Sequence, residues 1–303
     1  MKAVMLADLC IRTGLNDIVV AGGMESMSNA PYYAPKVRSG LRIGDAPLVD
    51  GMIKDGLWDP YSNVHMGQCG ELCASRYGIS REQQDDHAVE SHARARLAMA
   101  QGWTAREITP IRVGDAVVEN DEGPAKFNME KLRRLRPAFQ AEGTVTAGNA
   151  SPLTDGAAAL VISSRKAAQE CGLPVLAVIR SQADANQAPE WFTTSPAVAA
   201  PKAVARAGLE MKDIDAWEIN EAFSVVDLAC SQLMHLDRSK VNMHGGAVAL
   251  GHPIGASGAR LLVTLINVLQ VHCGKYGCAA VCNGGGGASS MVIEMCGSQP
   301  ARL

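Results

Sequence analysis

The sequence predicts an α/β protein, and three observations carry that reading. From Ala157 onward, apolar runs of strand length alternate with longer runs of helical pattern. Two of the apolar runs lead into glycine-rich elbows, Gly251-His252-Pro253-Ile254-Gly255-Ala256-Ser257-Gly258 and Cys282-Asn283-Gly284-Gly285-Gly286-Gly287. Finally, Met1-Lys2-Ala3 through Gly22-Gly23-Met24 parallels Ala259-Arg260-Leu261 through Cys282-Asn283-Gly284. Each stretch reads as helix, short polar turn, buried strand and glycine turn. Duplicated halves are one way to build a two-sheet protein, although any two such units look alike at this level. A chain of 303 residues is long enough for a substantial core, as two domains or one large α/β unit.

The first thirteen residues are rich in Ala, Leu and Met and predict a helix ending near Gly14. The strand Asp17–Ala21 follows, with Gly22-Gly23 as a turn. Residues 30–78 carry many Pro, Gly, Tyr and Met without a clear period and read as a long excursion. A helix is predicted from about Ser80 to Gly102, opened by a Ser80/Gln83 capping box and largely exposed because charges and alanines dominate it. The stretch from Gly114 to Gly143 reads as a charged loop with a basic cluster over residues 131–136. Further strands are predicted at Ala157–Ser163, Val175–Arg180, Ala216–Asn220, Cys278–Cys282 and Ser289–Met295. The intervening helices end near Gly172, open at Ser195-Pro196, run from Glu221 to about His235, and run from Ala259 to about His272. Serine as N-cap with proline at the first helical position explains the second of these.

Composition narrows the function. The net charge of −3 supplies no basic field for nucleic acid, and aromatics at 4% leave few stacking platforms. No apolar stretch is expected to reach membrane-spanning length. The nine cysteines are scattered in apolar segments, which suits a reducing compartment. The ending Ala301-Arg302-Leu303 is like a peroxisomal address, with a plain soluble tail as the alternative. The expected location is therefore cytoplasmic or peroxisomal, with mitochondria left open.

Chemistry is expected at three motifs. Asn220-Glu221-Ala222-Phe223 lies where a strand meets a helix, the edge at which open α/β sheets gather ligands. Asn220 could hold a water or a carbonyl oxygen there, or simply cap the helix. His252 precedes Pro253, which biases it out of the helical region and onto a fixed loop. Cys282 precedes four glycines whose N–H groups would make an anion pocket, although buried inert cysteines are common. A Cys/His pair in such elbows suits acid–base chemistry on a thioester or carbonyl. Metal binding by Cys69/Cys73 or His87/His92 is a poor reading, because neither pair has a second pair at ligand spacing.

These motifs, with Val20-Ala21-Gly22-Gly23-Met24-Glu25-Ser26-Met27-Ser28, His65-Met66-Gly67, Thr146-Ala147-Gly148-Asn149-Ala150-Ser151 and Asp155-Gly156-Ala157-Ala158, make the chain resemble the thiolases over essentially its whole length. The short-chain, acetoacetyl-specific branch is the nearest in form. The resemblance implies a thiolase fold, layered α-β-α-β-α, with an inserted loop domain. On that pattern, residues 1–26 and 152–172 belong to the N-terminal half, 27–151 to the loop domain on the coenzyme A side, and 173–303 to the C-terminal half. The activity implied is reversible Claisen condensation of two acetyl-CoA to acetoacetyl-CoA and CoA.

The resemblance also implies roles. His252 would activate a nucleophilic cysteine and point at the thioester oxygen. Cys282 would be the second cysteine, removing the α-proton in condensation. Asn220 would hold the water that completes one oxyanion hole, and the Gly284 N–H would supply half of the other. His65, Met66, Ala147 and Ser151 would flank the pantetheine, Met66 and Phe223 would limit acyl length, and Lys126 and Lys131 would face the phosphates and adenine. Some members bind potassium, at positions matching Tyr61, Ala147, Gly148, Ala150 and Val248; no other cofactor is implied. Acetyl-CoA and acetoacetyl-CoA would be the small-molecule partners, without nucleic acid or membrane. The assembly would be a homodimer or homotetramer.

One departure matters. In thiolases a Cys-x-Ser-Gly segment, carrying the acyl-accepting cysteine, stands immediately before the position of Met1, and the N-terminal half is longer. The sequence as given is therefore expected to be a piece of an enzyme or to carry an incorrect start. By itself it should be inactive and poorly soluble. The alternative is a catalytically dead, thiolase-like acyl-CoA binder or regulatory subunit.

Overall fold

A computed structural model describes residues 1–296; Ala301-Arg302-Leu303 lies outside the described residues. Helix α1 (Lys2–Arg12) forms where the sequence expects it and buries Val4, Met5 and Ala7 on one side. Its buried Asp8 is held by Arg12 one turn on, at 2.8 Å. Strand β1 (Ile18–Ser26) continues through Gly22 and Gly23, which the sequence reading made a turn. Glycine is needed there for closeness rather than for turning. A Cβ on Gly22 would overlap the Ala158 carbonyl, and one on Gly23 would overlap that of Gly255.

The excursion contributes only short pairs, β2 (Tyr32–Tyr33) with β3 (Val49–Asp50) and β4 (Trp58–Asp59) with β5 (Val64–His65). Two helices follow, α2 (Met66–Tyr77) and α3 (Arg81–Ala100). The predicted Ser80/Gln83 capping box is present at the start of α3. The expected exposure of α3 is not. Gln84, His87, Ala88, Ser91, Ala95 and Ala98 form a buried stripe at helical spacing. The stripe is polar and small rather than leucine-rich, so a reading by hydrophobicity overlooks it. The charged stretch beyond it holds a hairpin, β6 (Ile111–Val113) with β7 (Ala116–Val118), and two short helices, α4 (Glu122–Lys126) and α5 (Met129–Arg134).

Strand β8 (Asp155–Ser163) lies antiparallel to β1 along all nine residues, from Ile18 opposite Ser163 to Ser26 opposite Asp155. Next come α6 (Arg165–Glu170), β9 (Ala177–Asn186), α7 (Pro196–Arg206), β10 (Ala216–Ile219), α8 (Ser224–Met234), α9 (Ala247–Leu250), α10 (Ile254–Val271), β11 (Tyr276–Asn283) and β12 (Gly287–Met295). The second sheet has the order β10-β11-β12-β9, with β10 and β11 parallel and the other pairs antiparallel.

Helices α1 and α10 lie between the two sheets. Their core joins Val4, Met5, Leu261, Leu262, Leu265 and Leu269 to Ala21 of β1 and to Ala216, Ala279 and Met291 of the second sheet. On the far face of that sheet, α7 and α8 pack over a second core that includes Trp217, Ile219, Val225 and Val226. Helix α10 begins at Ile254, five residues before the predicted start, because Pro253 serves as its N-cap. It also corrects the expectation of no membrane-length segment. By length and composition its 18 residues could cross a membrane, yet 61% of the segment is buried inside the protein. The outward face of β1–β8 carries Val20, Met24 and Val161, exposed by 72%, 77% and 63%.

Candidate active site

Strands β10 and β11 run parallel, so their carboxyl ends emerge at one edge and bring Asn220 and Cys282 together there. Asn220 follows β10, and its N–H donates to the Ala280 carbonyl of β11 at 3.0 Å. It is fully buried and is not a helix cap: α8 starts at Ser224, with Phe223 at the N-cap. The cap alternative therefore falls away. The Asn220 Oδ1 is buried without a hydrogen-bond partner.

His252 sits between α9 and α10. Gly251, with φ of +99°, turns the chain out of α9, and Pro253 starts α10. The imidazole is held at both nitrogens. Nδ1 lies 2.6 Å from Ser257 Oγ, and that hydroxyl donates to the Pro253 carbonyl at 2.9 Å. With its own proton engaged, Ser257 accepts from Nδ1–H, which leaves the Nε2 lone pair facing Asn220 Nδ2 at 3.2 Å. Burial and the nearby Arg260 guanidinium push the imidazole down to about 4. The ring is thus neutral at pH 7, with an unprotonated Nε2 that accepts from the Asn220 amide: the protonation state a general base requires.

Cys282 lies near the end of β11, opposite Ala288. Burial pushes its thiol up to about 12, so at neutral pH it carries its proton. The following turn has positive φ at Gly285 (+83°) and Gly286 (+85°), which glycine tolerates. The Gly286 carbonyl accepts from Ser195 Oγ at 2.7 Å and from Gln187 N–H at 2.9 Å, which fixes the hairpin. Ser195 does precede α7 as expected, but its hydroxyl makes no cap bond and serves this turn instead.

The residues expected to flank the pantetheine and limit acyl length converge on the same core. Met66, Phe223, Val145 and Cys282 belong to one buried cluster, and a Cβ on Gly284 would come against the Met66 methyl. His65 stacks on Phe139 at 4.7 Å, and Phe139 meets Phe223 edge-on at 6.1 Å. Ser151 Oγ and N–H both donate to the Ala222 carbonyl, at 2.9 and 3.1 Å. His65, Met66, Ser151, Phe223, Asn220, His252, Cys282 and Gly284 therefore lie along connected segments.

Other expected residues lie apart from this cluster. Lys126 pairs with Glu122 on an exposed turn, and Lys131 is exposed at the end of α5. Within the basic cluster, Arg133 is bonded to Asp86 on α3. Gly148 and Val248 both pack on Leu132, whereas Tyr61 is 76% exposed.

Sequence reading missed the charged groups beneath the site. Glu221 is 1% exposed, joined by His87 and Ser91 of α3 and by Asp227 of α8. Arg260 lies 3.4 Å from the fully buried Glu218, whose carboxyl is pushed up to about 8, chiefly by burial. The signal available was the stripe of polar residues at i, i+3 and i+4 on α3.

A neutral base in an elbow between two helices and a proton-loaded thiol near a strand end, beside a two-sheet core with a central helix layer, make an architecture suited to acid–base chemistry on a carbonyl. The family models described as "Thiolase, N-terminal domain" and "Thiolase, C-terminal domain" match residues 1–166 and 173–295, and the chain belongs to the thiolase family. It is 56% identical to acetyl-CoA acetyltransferase 1 of Arabidopsis thaliana over 301 residues, covering 97% of this chain and 72% of that protein. It is 52% identical to the acetyl-CoA acetyltransferase of Yarrowia lipolytica, covering 97% and 74%. Among solved structures, the Acat5 thiolase of Ascaris suum in complex with coenzyme A superposes with a TM-score of 0.92 at 43% identity, covering 97% and 76%. The acetyl-CoA acetyltransferase of Bacillus anthracis gives 0.93 at 39%, covering 98% and 76%.

Proposed function

We propose that this chain carries the proton-transfer and oxyanion half of an acetyl-CoA C-acetyltransferase, which condenses two acetyl-CoA to acetoacetyl-CoA and CoA and runs thiolysis in reverse. The observation that supports it best is the neutral His252 lone pair at 3.2 Å from Asn220, on the strand edge that also carries Cys282. The likeness to acetyl-CoA acetyltransferases and to a coenzyme A-bound thiolase points the same way.

In this reading His252 Nε2 takes the proton of an acyl-accepting thiol. The resulting imidazolium then faces the thioester oxygen as a donor. The acyl-accepting thiolate displaces CoA from the first acetyl-CoA, and the departing sulfur takes the Cys282 proton. Cys282, now thiolate, removes the α-proton of the second acetyl-CoA. The enolate carbon attacks the acyl carbon and expels the acyl-accepting sulfur, which recovers its proton from His252. In thiolysis Cys282 returns that proton. Asn220, through a water, and the Gly284 N–H would stabilise the two oxyanions in turn. His65, Met66, Ala147 and Ser151 would line the pantetheine, with Lys126 and Lys131 nearer the phosphates. Met66 and Phe223 would restrict the acyl pocket. Potassium, where used, would sit on Tyr61 and the carbonyls of Ala147, Gly148, Ala150 and Val248; no step depends on it.

The family pattern puts the acyl-accepting cysteine just before Met1. Met1 itself is buried and lies against Gly258 in the second turn of α10, close to the His252 elbow. None of Cys10, Cys69, Cys73 and Cys230 is in a comparable place: each lies within a helix. The 303-residue polypeptide is expected to support deuterium exchange into the methyl group of acetyl-CoA through Cys282. Methyl exchange no faster than in buffer would sink the enzyme reading and leave the acyl-CoA binder. Self-association into dimers or tetramers is proposed from the same likeness, and a reporter protein ending in Ala-Arg-Leu would test the peroxisomal address.

A further inference from the structure

We propose that Glu221 is the positioning residue that holds Asn220 against His252, by tying the segments carrying both to helix α3. The proposal rests on the reading of Asn220 and His252 as the pair that handles the thioester oxygen. Adjacent residues of an extended segment point to opposite sides, so Glu221 enters the interior beneath Asn220.

Each oxygen of its carboxylate grips a different part of the site. Oε2 accepts the Val248 N–H at 3.0 Å, on the short helix that leads directly to Gly251-His252. It also accepts the Ser91 hydroxyl at 2.8 Å, and Ser91 Oγ in turn accepts the Gly246 N–H at 3.0 Å. Oε1 accepts from Asn242 Nδ2 at 3.0 Å. Asn242 then clamps Ile219, the residue before Asn220, through both N–H and C=O at 2.9 Å. One side chain thus controls the backbone on either side of the Asn220–His252 contact.

The fit is close on every side. A Cβ on Gly246 would overlap the Glu221 carboxylate, and one on Gly245 would meet the Ser91 carbonyl. An outer layer of charged and polar groups surrounds the carboxylate. His87 Nε2 lies 3.5 Å from Glu221 and 2.7 Å from Asp227, with Ser231 and Arg238 on Asp227 at 3.1 and 3.4 Å. Three potential metal-ligating residues are gathered here, but donors already occupy the Glu221 oxygens and a guanidinium stands beside Asp227. With those oxygens engaged, the arrangement is a hydrogen-bond network rather than a cation site.

The test uses the 303-residue chain and two measurements on the protein itself. Amide hydrogen exchange reads the backbone of residues 246–248, and NMR titration reads His252. In Glu221→Gln the shape is kept while an NH2 group faces one or more of the donors. Exchange at Gly246 and Val248 should accelerate by about tenfold or more, the scale of losing a charge-assisted hydrogen bond. The His252 midpoint should rise from about 4 towards its ordinary value as the ring loosens. Protection in α10 and β11 should stay unchanged. If Glu221→Gln does not fold, Ser91→Ala removes one donor and the Gly246 acceptor, and should move both readouts the same way. Asn220→Ala, which leaves the clamp intact, should not alter exchange at residues 246–248. Unchanged exchange there and an unchanged His252 midpoint in a folded Glu221→Gln or Ser91→Ala protein would overturn the proposal. Absence of acetyl-CoA methyl exchange in the wild-type chain would instead count against the enzyme reading, leaving these two readouts to decide the clamp.

Discussion

Cys282→Ala is expected to remove acetyl-CoA methyl exchange, with a fall of at least about a hundredfold, the usual scale for deleting a placed acid–base group. The reason lies in the site. His252 is held by Ser257 at one nitrogen and by Asn220 at the other, and the Cys282 thiol, in the apolar cluster formed with Met66 and Phe223, is the group proposed to take the α-proton. The pH dependence follows from two opposite displacements. Burial raises Cys282 to about 12, so the reactive thiolate is scarce at neutral pH and its fraction grows about tenfold per pH unit up to that value. Burial and Arg260 lower His252 to about 4, so the imidazole stays neutral throughout that climb. Exchange should therefore rise steadily from pH 6 to pH 9 with no acid limb in this window. Proton NMR of acetyl-CoA in deuterated buffer measures it. A plateau near pH 7 would mean a thiol far more acidic than its surroundings permit, and a Cys282→Ala protein that still exchanges would assign the proton to another group.

Gly23→Ala should destabilise the whole fold, by about 3 kcal/mol, because the obstruction is main chain on both sides. Gly23 lies in β1, and its missing Cβ is what allows the carbonyl of Gly255, in the first turn of α10, to approach. A side chain could swing away; a helix tied at its N-terminus to Pro253 and along its length to two sheets cannot. For a domain of this size the expected fall in Tm is about 6 °C or more. The same displacement would shift the residue pair next to His252, so acetyl-CoA methyl exchange should drop alongside stability. An unchanged Tm would show that β1 and α10 stand further apart than described.

The comparison of sequence and structure divides along one physical line. Features written in a single stretch of chain were legible: the Ser80/Gln83 capping box, the strand-end place of Asn220, and the two glycine elbows at His252 and Cys282. Features set by partners distant in sequence were not. Gly22 and Gly23 look like a turn until α10 lies across them. Helix α3 looks solvated because its buried stripe is built from Gln84, His87 and Ser91, whose partners Thr144, Asp227 and Glu221 come from other parts of the chain. Asn220 and His252 could each be singled out, but their 3.2 Å contact depends on how β10 meets the α9–α10 connection. Lys126 shows the converse. A lysine in a loop suggests an anion, yet its nearest partner is Glu122 on the same turn.

The approach of Met1 to Gly258 also bears on how the protein should be handled. The amino group is sunk far enough that burial lowers it from its ordinary value, and the space around it belongs to the turn that orients His252. Anything joined ahead of Met1 therefore lies against the turn of α10 that carries Ser257, whose hydroxyl is bonded to His252. A label introduced on the exposed side of α3, at Glu82, reports on the same molecule away from that turn.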